Sequence, residues 1–459
     1  MTDQLPTYRR KPARDRFYGW RPAIHHPEPG PGEEFPPGPR APIAVQSLRT
    51  WAARNTYWPK MQERYGDTFT LRVAPVGRIV IVCRPEDVRT AALGSPETFP
   101  IGENNLLFEP LVGRGSVLAL DGAAHRAARK RMVPPFHGKR IAGVVSTMAR
   151  LAEEEVAAWP VGSTFPLVEC MRRLTLKVII RVVMGVEDPT RVAEVSAALG
   201  RVLDVRTLDL LMWIWPRLTG FGPWRTAIAA MQRADDLLFE EIAGARQDPG
   251  RSERPDVLAM LLDGSPDDEQ VRVELLTLLL GGHETTAVAA AWMFERLLRH
   301  PAALARTREG LDDPDDEYRA AVIKETLRLR QLSYNLGRRL SVPAELGGYH
   351  LPAGTFVWPS IAAAHTDRAT WGEDATEFRP ERWLDPGVPA RAFLPFGGGA
   401  HRCLGALFAE TELEIILRTV LRDVDLRPDR PAAEKPVMRH VVQVPARGAR
   451  VRVVRRTGR

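Results

Sequence analysis

Residues 265 to 301, SPDDEQVRVELLTLLLGGHETTAVAAAWMFERLLRHP, constrain this chain more than any other stretch. Ser265 is a natural N-cap, Pro266 suits the first helical position, and three acids follow. The pattern runs to His300, before Pro301, giving about 35 residues or roughly 50 Å of helix. Much of it is apolar all round, so it passes through the interior. Its centre, GGHETT, is weak by composition. Two adjacent glycines cost on the order of 1 kcal/mol each relative to alanine, and they clear side chains so that something flat can lie against the helix. Glu284 and the threonines after it place an acid beside hydroxyls that can back-bond to the preceding turn. A buried acid at a helix defect suits proton delivery. Helix–helix packing over small residues with a stray acid is the competing account.

A second feature is PFGGGAHRCLG, residues 395 to 405. The chain has three cysteines, Cys83, Cys170 and Cys403, too few and too far apart for a disulfide framework or a Cys-rich zinc module. A reducing, cytoplasmic setting follows. Cys403 opens a helical pattern whose positive dipole end favours an anion. Gly397, Gly398 and Gly399 permit close backbone approaches, and His401 and Arg402 add donors. Such surroundings favour a thiolate, hence a metal ligand or a nucleophile. A cysteine protease would need a partnering histidine and Asn or Asp. A lone thiolate from a glycine-rich loop is also how one class of haem proteins holds iron.

Around these features the patterns are mainly helical with a small β region. Residues 1–40 read as an extended proline-rich lead-in and 41–459 as one domain. Residues 67–84 read as two strands, residues 340–363 as short strands and turns, and the last stretch, VVQVPARGARVRVV, as a closing hairpin. Net charge is +7, and seven arginines with no acid follow Glu434. That tail could touch nucleic acid, a membrane or an acidic protein, although a solvated terminus is simpler. No apolar run approaches the roughly 18 to 20 residues of a membrane span, and the N-terminus lacks a signal-peptide core. We therefore expect a soluble monomer with no transmembrane anchor and no nucleic-acid partner.

FGGGAHRCLG resembles the F-x-x-G-x-x-x-C-x-G haem-binding loop of the cytochrome P-450 superfamily, through Phe396, Gly399, Cys403 and Gly405. GGHETT is similar to that family's [AG]-G-x-[DE]-T-[TS] oxygen-activation motif. ETLR supplies its E-x-x-R pair as Glu325 and Arg328, FRPERW places Arg382, and DGAAHRAARKRM gives His125 and Arg129 in the H/W-x-x-x-R helix. Five motifs in the expected order span residues 121 to 405. The resemblance implies the cytochrome P-450 fold, with haem b (iron) between the long central helix and the cysteine loop. It makes Cys403 the axial ligand, with Phe396 and Gly405 beside it. His125, Arg129, Arg338 and His401 would serve the haem propionates, Arg339 being the competitor for Arg338. Glu284 and Thr285 would be the acid–alcohol pair relaying protons during dioxygen activation. Glu325, Arg328 and Arg382 would form a structural ion network.

The implied activity is a monooxygenase that inserts one oxygen atom from O2 into a mostly apolar small molecule, such as a terpenoid, fatty acid or steroid-like compound. By analogy the pocket would be lined by residues 100–112, 204–224 and 332–336, rich in Leu, Trp and Phe. Electrons would come from a ferredoxin or flavodoxin with its NAD(P)H reductase, drawn to Arg126, Lys130, Arg131, Arg391 and Arg402. Many relatives carry Pro-Pro where this chain has Gln331-Leu332, so no relative's substrate preference transfers. A peroxide-driven or non-oxidative haem-thiolate enzyme, or a haem-binding sensor without turnover, are the other readings.

Overall fold

The computed structural model describes residues 13–16, 27–113, 115–136, 138–203, 216–264, 267–439 and 442–457. At its centre lies the helix Asp268–Leu297. Its N-cap is Asp267, which accepts from the Glu269 backbone N–H at 3.0 Å, rather than Ser265; Ser265 and Pro266 lie outside the described residues. The helix is buried from Val271 to Leu279 and again from Thr286 to Leu297. Between them, Leu280, Gly281, Gly282, Glu284 and Thr285 retain exposure. The interruption coincides with the weak centre seen in the sequence.

Helices Leu167–Ile179, Gly222–Gln247, Tyr318–Leu329 and Ala406–Asp423 pack around this axis. Arg272 fixes its N-terminal half: the fully buried guanidinium donates to Asp235 at 2.8 and 2.5 Å and to the Val112 carbonyl at 2.7 Å. Burying such an ion demands a partner of this quality.

The strands form small sheets at the periphery. Thr68–Val73 pairs antiparallel with Gly77–Val82, Phe356–Pro359 runs parallel to the latter, and Arg338–Arg339 closes the edge. The expected C-terminal hairpin is not formed. Val442–Pro445 pairs with Pro436–Arg439, whereas Arg450–Arg456 lies between Val424–Pro428 and Thr164–Pro166. Most of the arginines here stay solvent-exposed, but on ordered chain rather than a free tail. Arg447 meets Asp429 at 2.5 Å, Arg455 pairs with Asp425, and Arg456 donates to the carbonyls of Val156, Ala157 and Trp159. In the lead-in, Ala13 is buried, and its N–H donates to Gln232 on the helix Gly222–Gln247 at 3.0 Å.

Beneath the cysteine loop lies a buried polar network. Glu325 receives two hydrogen bonds of 2.8 Å from Arg328, and one of 3.0 Å each from Arg382, the Trp383 indole and the Arg379 backbone. Arg328 also binds the carbonyls of His365 and Ala375, each at 2.6 Å. His365 joins this network to the loop. Its Nε2 accepts from the Leu394 N–H at 2.9 Å, so Nδ1 carries the proton and donates to the Arg328 carbonyl at 3.2 Å. Burial, reinforced by the Arg328 charge, pushes its pKa down to about 3.

A neutral folded histidine whose unfolded form titrates near 6.5 stabilises the fold fully above that value. The contribution is lost as pH falls from 6.5 towards 3, by up to about 1.4 kcal/mol per pH unit. Thermal or denaturant unfolding between pH 7 and about pH 5 should show a shallower pH dependence for His365→Asn than for the unmodified chain. Equal slopes would remove His365 from the account.

Candidate active site

The loop before Cys403 is shaped by its glycines. Gly397 and Gly399 have φ of +67° and +62°, and a Cβ on Gly398 would lie 2.1 Å from a Leu93 methyl. The loop therefore turns tightly against the helix Pro85–Leu93, and the Cys403 N–H donates to the Phe396 carbonyl at 2.9 Å. Gly405, the N-cap of Ala406–Asp423, directs its N–H at the sulfur. Cys403 is accessible, yet enough protein surrounds it that burial pushes its thiol above the ordinary value. The Gly405 N–H and the Arg129 and Arg402 guanidiniums pull the other way and do not cancel it. The loop alone is thus less favourable to a thiolate than its composition implies; a cation at the sulfur completes the balance.

Four predicted residues gather near this loop. Arg129 donates to the Arg402 carbonyl at 2.7 Å. His125 and His401 stack at 3.9 Å between ring centroids, and His401 Nε2 lies 3.5 Å from Asp121 Oδ1. Asp121 also accepts from the Ile101 and Gly102 N–H groups at 2.9 and 2.8 Å. Burial opposes its charge, but the nearby His401 and the backbone hydrogen bonds prevail and hold its carboxyl below the usual range. Burial, with His401 and Arg129 nearby, pushes His125 down to about 4. At neutral pH His125 is uncharged, not the cation its spacing from Arg129 implies.

Arg338 is buried and donates only to the Gly337 and Ala92 carbonyls, at 3.0 and 3.2 Å. No carboxylate forms an ion pair with it among the described residues; burial pushes its pKa down to about 10, against the weaker pull of Asp121. Arg339, the competitor, is less buried and has its guanidinium over Phe356. A buried guanidinium bonded only to carbonyls calls for an anion.

The central helix contributes its exposed window. A Cβ on Gly281 would meet nothing within 4 Å, whereas one on Gly282 would strike Ile179 at 2.7 Å. Gly281 therefore leaves open space, while Gly282 permits helix packing. Thr285 back-bonds to the Gly281 carbonyl at 2.6 Å. Glu284 is not simply buried beside hydroxyls. Arg172, from the helix Leu167–Ile179, grips both its oxygens at 2.7 and 2.5 Å and binds Glu169 at 2.6 Å.

The family model described as Cytochrome P450 matches residues 36–451. The chain belongs to the cytochrome P-450 family. It is 39% identical over 431 residues to a Mycobacterium tuberculosis protein named cytochrome P-450 135B1, covering 91% of each chain. It is 36% identical to one named 135A1 from the same species, covering 92% of this chain and 95% of the relative. The solved structure titled "Retinoic acid bound cyanobacterial CYP120A1" shares the fold, with a TM-score of 0.79, 22% identity, and coverage of 92% and 99%. This P-450 is accordingly an oxidoreductase, a monooxygenase whose family binds haem. Its residues fit that group: Arg338 lacks an anion, Cys403 sits among donors, and Gly281 opens the facing helix.

Parts of the P-450 site were illegible in the sequence. Arg172, Asp121 and His365 carry no motif and reach their partners only through the fold, Arg172 lying 112 residues from Glu284. Of the expected pocket segments, residues 204–215, with Trp213 and Trp215, lie outside the described residues. Within 332–336, Tyr334 turns into an aromatic cluster against Trp58, 5.3 Å away. Arg131 is not a free surface cation, because it pairs with the buried Glu274 at 2.5 Å. Among the described residues no helix is long and apolar enough to cross a membrane.

If Arg338 answers a haem carboxylate, Arg338→Gln should speed haem loss to an acceptor globin by about tenfold or more, as expected for a charge-assisted hydrogen bond. Arg339→Gln should leave the rate within about twofold. Equal effects of both changes would refute the assignment.

Proposed function

We propose that Cys403 would hold the iron of a b-type haem through its sulfur, and that Arg338, Arg129, His125 and His401 would serve its propionates. Phe396 would pack beside the sulfur, and the Gly405 N–H would temper its charge. The observation that carries this reading is the cysteine loop, with its sulfur facing the Gly405 N–H and two guanidiniums. When bound, the haem supplies the dioxygen activation and C–H oxidation that no side chain can perform.

The chain's own residues would manage protons and exclude water. Thr285, held on the Gly281 carbonyl, would present its hydroxyl to the space that Gly281 leaves open. Glu284 would feed that hydroxyl after exchanging a bond with Arg172 for a proton, since a carboxylate gripped at both oxygens has no proton to give. The half-exposed Glu169, bonded to the same guanidinium, would keep Arg172 paired when it releases Glu284, which would take its proton from solvent.

We further propose a mostly apolar small-molecule substrate, a cytoplasmic setting, and electrons from a ferredoxin or flavodoxin with its NAD(P)H reductase. The Leu- and Phe-bearing segment 100–112 expected at the pocket supports an apolar ligand. Arg126 and Arg402 remain accessible for an acidic electron donor.

The test combines a spectrum with a coupling measurement. The reduced protein with carbon monoxide should give a strongly red-shifted Soret band that Cys403→Ser abolishes. With a surrogate ferredoxin and reductase, Thr285→Ala should keep consuming reduced cofactor while product per electron pair falls by about tenfold or more, part of the roughly 10²–10⁴-fold that a positioned proton-transfer group contributes. A histidine-type Soret band would refute the ligand, and unchanged coupling would refute the relay.

A further inference from the structure

One face of the helix Leu167–Ile179 meets three successive residues of the central helix. Arg172 holds Glu284 by both oxygens, at 2.7 and 2.5 Å. Thr175 meets His283, and Ile179 fills the space over Gly282, where a Cβ would lie 2.7 Å from its methyl. Arg172, Thr175 and Ile179 share that face by helical spacing. The order of contacts is reversed between the two helices, so they run in opposite directions here. A slide of either along its axis would break all three contacts at once.

The middle contact is inside the protein, with Thr175 exposed by 0% and His283 by 5%. The Thr175 hydroxyl lies 3.1 Å from His283 Nδ1, 3.1 Å from the His283 carbonyl oxygen and 3.4 Å from the Arg172 carbonyl oxygen. A hydroxyl has one proton and carbonyls only accept. Were that proton given to the ring, both carbonyl oxygens would face lone pairs with no hydrogen between. The hydroxyl therefore donates to a carbonyl, and His283 donates from Nδ1. Burial pushes the His283 pKa down to about 4, with the Glu284 charge opposing and the Arg172 charge assisting. The ring is neutral at pH 7, so what it supplies there is geometry rather than charge.

The open stretch of the central helix is thereby held by hydroxyls from two sides. Thr285, on that helix itself, binds the Gly281 carbonyl at 2.6 Å, and Thr175, from the neighbouring helix, binds the His283 carbonyl. A guanidinium grips both oxygens of a carboxylate only in a narrow relative geometry. Arg172 stands one turn before Thr175, and Glu284 directly follows His283, so the Thr175–His283 contact fixes where the two charges meet. We infer that Thr175 and His283 are positioning residues for proton delivery: their paired hydrogen bonds hold the two helices in the register at which Arg172 grips and releases Glu284. The inference rests on the relay role proposed above for Glu284 and deepens it. Both residues act through that carboxylate.

The experiment measures product per electron pair in the holoprotein with a surrogate ferredoxin and reductase. Thr175→Val keeps the volume and removes the hydroxyl; it should lower coupling by about threefold or more, as for the loss of a neutral hydrogen bond. Thr175→Ser keeps the hydroxyl and should stay within about twofold. In a Glu284→Gln background, Thr175→Val should lower coupling no further, because its effect passes through the carboxylate. A second readout needs no turnover: the histidine ring nitrogen resonances of the reduced carbon monoxide form. The His283 signal, identified by its loss in His283→Asn, should show Nδ1–H in the unmodified protein and Nε2–H in Thr175→Val. Equal coupling in the Val and Ser variants, or an Nε2–H signal in the unmodified protein, would overturn the positioning role in favour of plain helix packing. A further loss in the Glu284→Gln background would overturn the route through Glu284. Should Thr175→Val fail to retain haem, the unmodified tautomer decides together with His283→Asn and His283→Leu. Asn keeps a donor near the place of Nδ1 and should hold coupling within about twofold, whereas Leu should lower it by about threefold; equal effects refute the positioning role. Glu284→Gln alone separates the two levels. If it leaves coupling intact, the relay reading fails; if it lowers coupling while Thr175→Val does not, only the positioning fails.

Discussion

Glu325 is the point through which the proximal half of this P-450 is held together. One carboxylate, fully buried, takes hydrogen bonds from Arg328, Arg382, Trp383 and the Arg379 backbone. Desolvating those three charges is tolerable only because the geometry is complete; removing one partner from such a group typically costs about 3–5 kcal/mol. From Arg328 the network runs through His365 to the Leu394 N–H, nine residues before Cys403. The position of the sulfur thus depends on an ion cluster that touches no substrate. This is why Glu325, Arg328 and Arg382 act as scaffold rather than as reactants.

Charge accounting separates structure from function in the rest of the molecule. Arg272 with Asp235 and Arg131 with Glu274 are buried pairs that close on themselves and stitch helices together. Arg338 and Arg54 do not close. Both are buried, both lose basicity through burial, and neither forms an ion pair with a carboxylate among the described residues. Arg338 lies on the edge strand, bonded to the Gly337 and Ala92 carbonyls, and under the proposed function haem carboxylates would be its counter-charge. Arg54 lies among the indoles of Trp51, Trp58 and Trp358, where cation–π attraction of about 0.5–2 kcal/mol per ring offsets only part of the burial cost. Glu284 is the converse case, an acid on the open stretch of the central helix whose two oxygens are held by Arg172.

Much of this was legible in one dimension. A 3.6-residue apolar pattern around GGHETT predicts a buried helix with a local opening, and the structure opens only there along the helix's buried length. The glycine spacing before Cys403 predicts a tight turn, borne out by the positive φ of Gly397 and Gly399. Pairings decided by distant partners were not legible. The final strand leaves its expected hairpin because two other strands offer it hydrogen bonds on both edges. Gly281 and Gly282 look equivalent in sequence, but the neighbouring helix places Ile179 against only one of them.

By itself the sequence determined the family, the cysteine loop, the ordered ion-network motifs and the central helix, because those depend on local conformational rules and fixed spacings. Only the tertiary structure decided the charge states and partners. It made His125 neutral, raised the Cys403 thiol, clamped Glu284 with Arg172 and left Arg54 without an ion pair among the described residues. The reason is physical. Burial and Coulomb terms depend on everything within a few ångströms in space, and residues more than a hundred positions apart meet there.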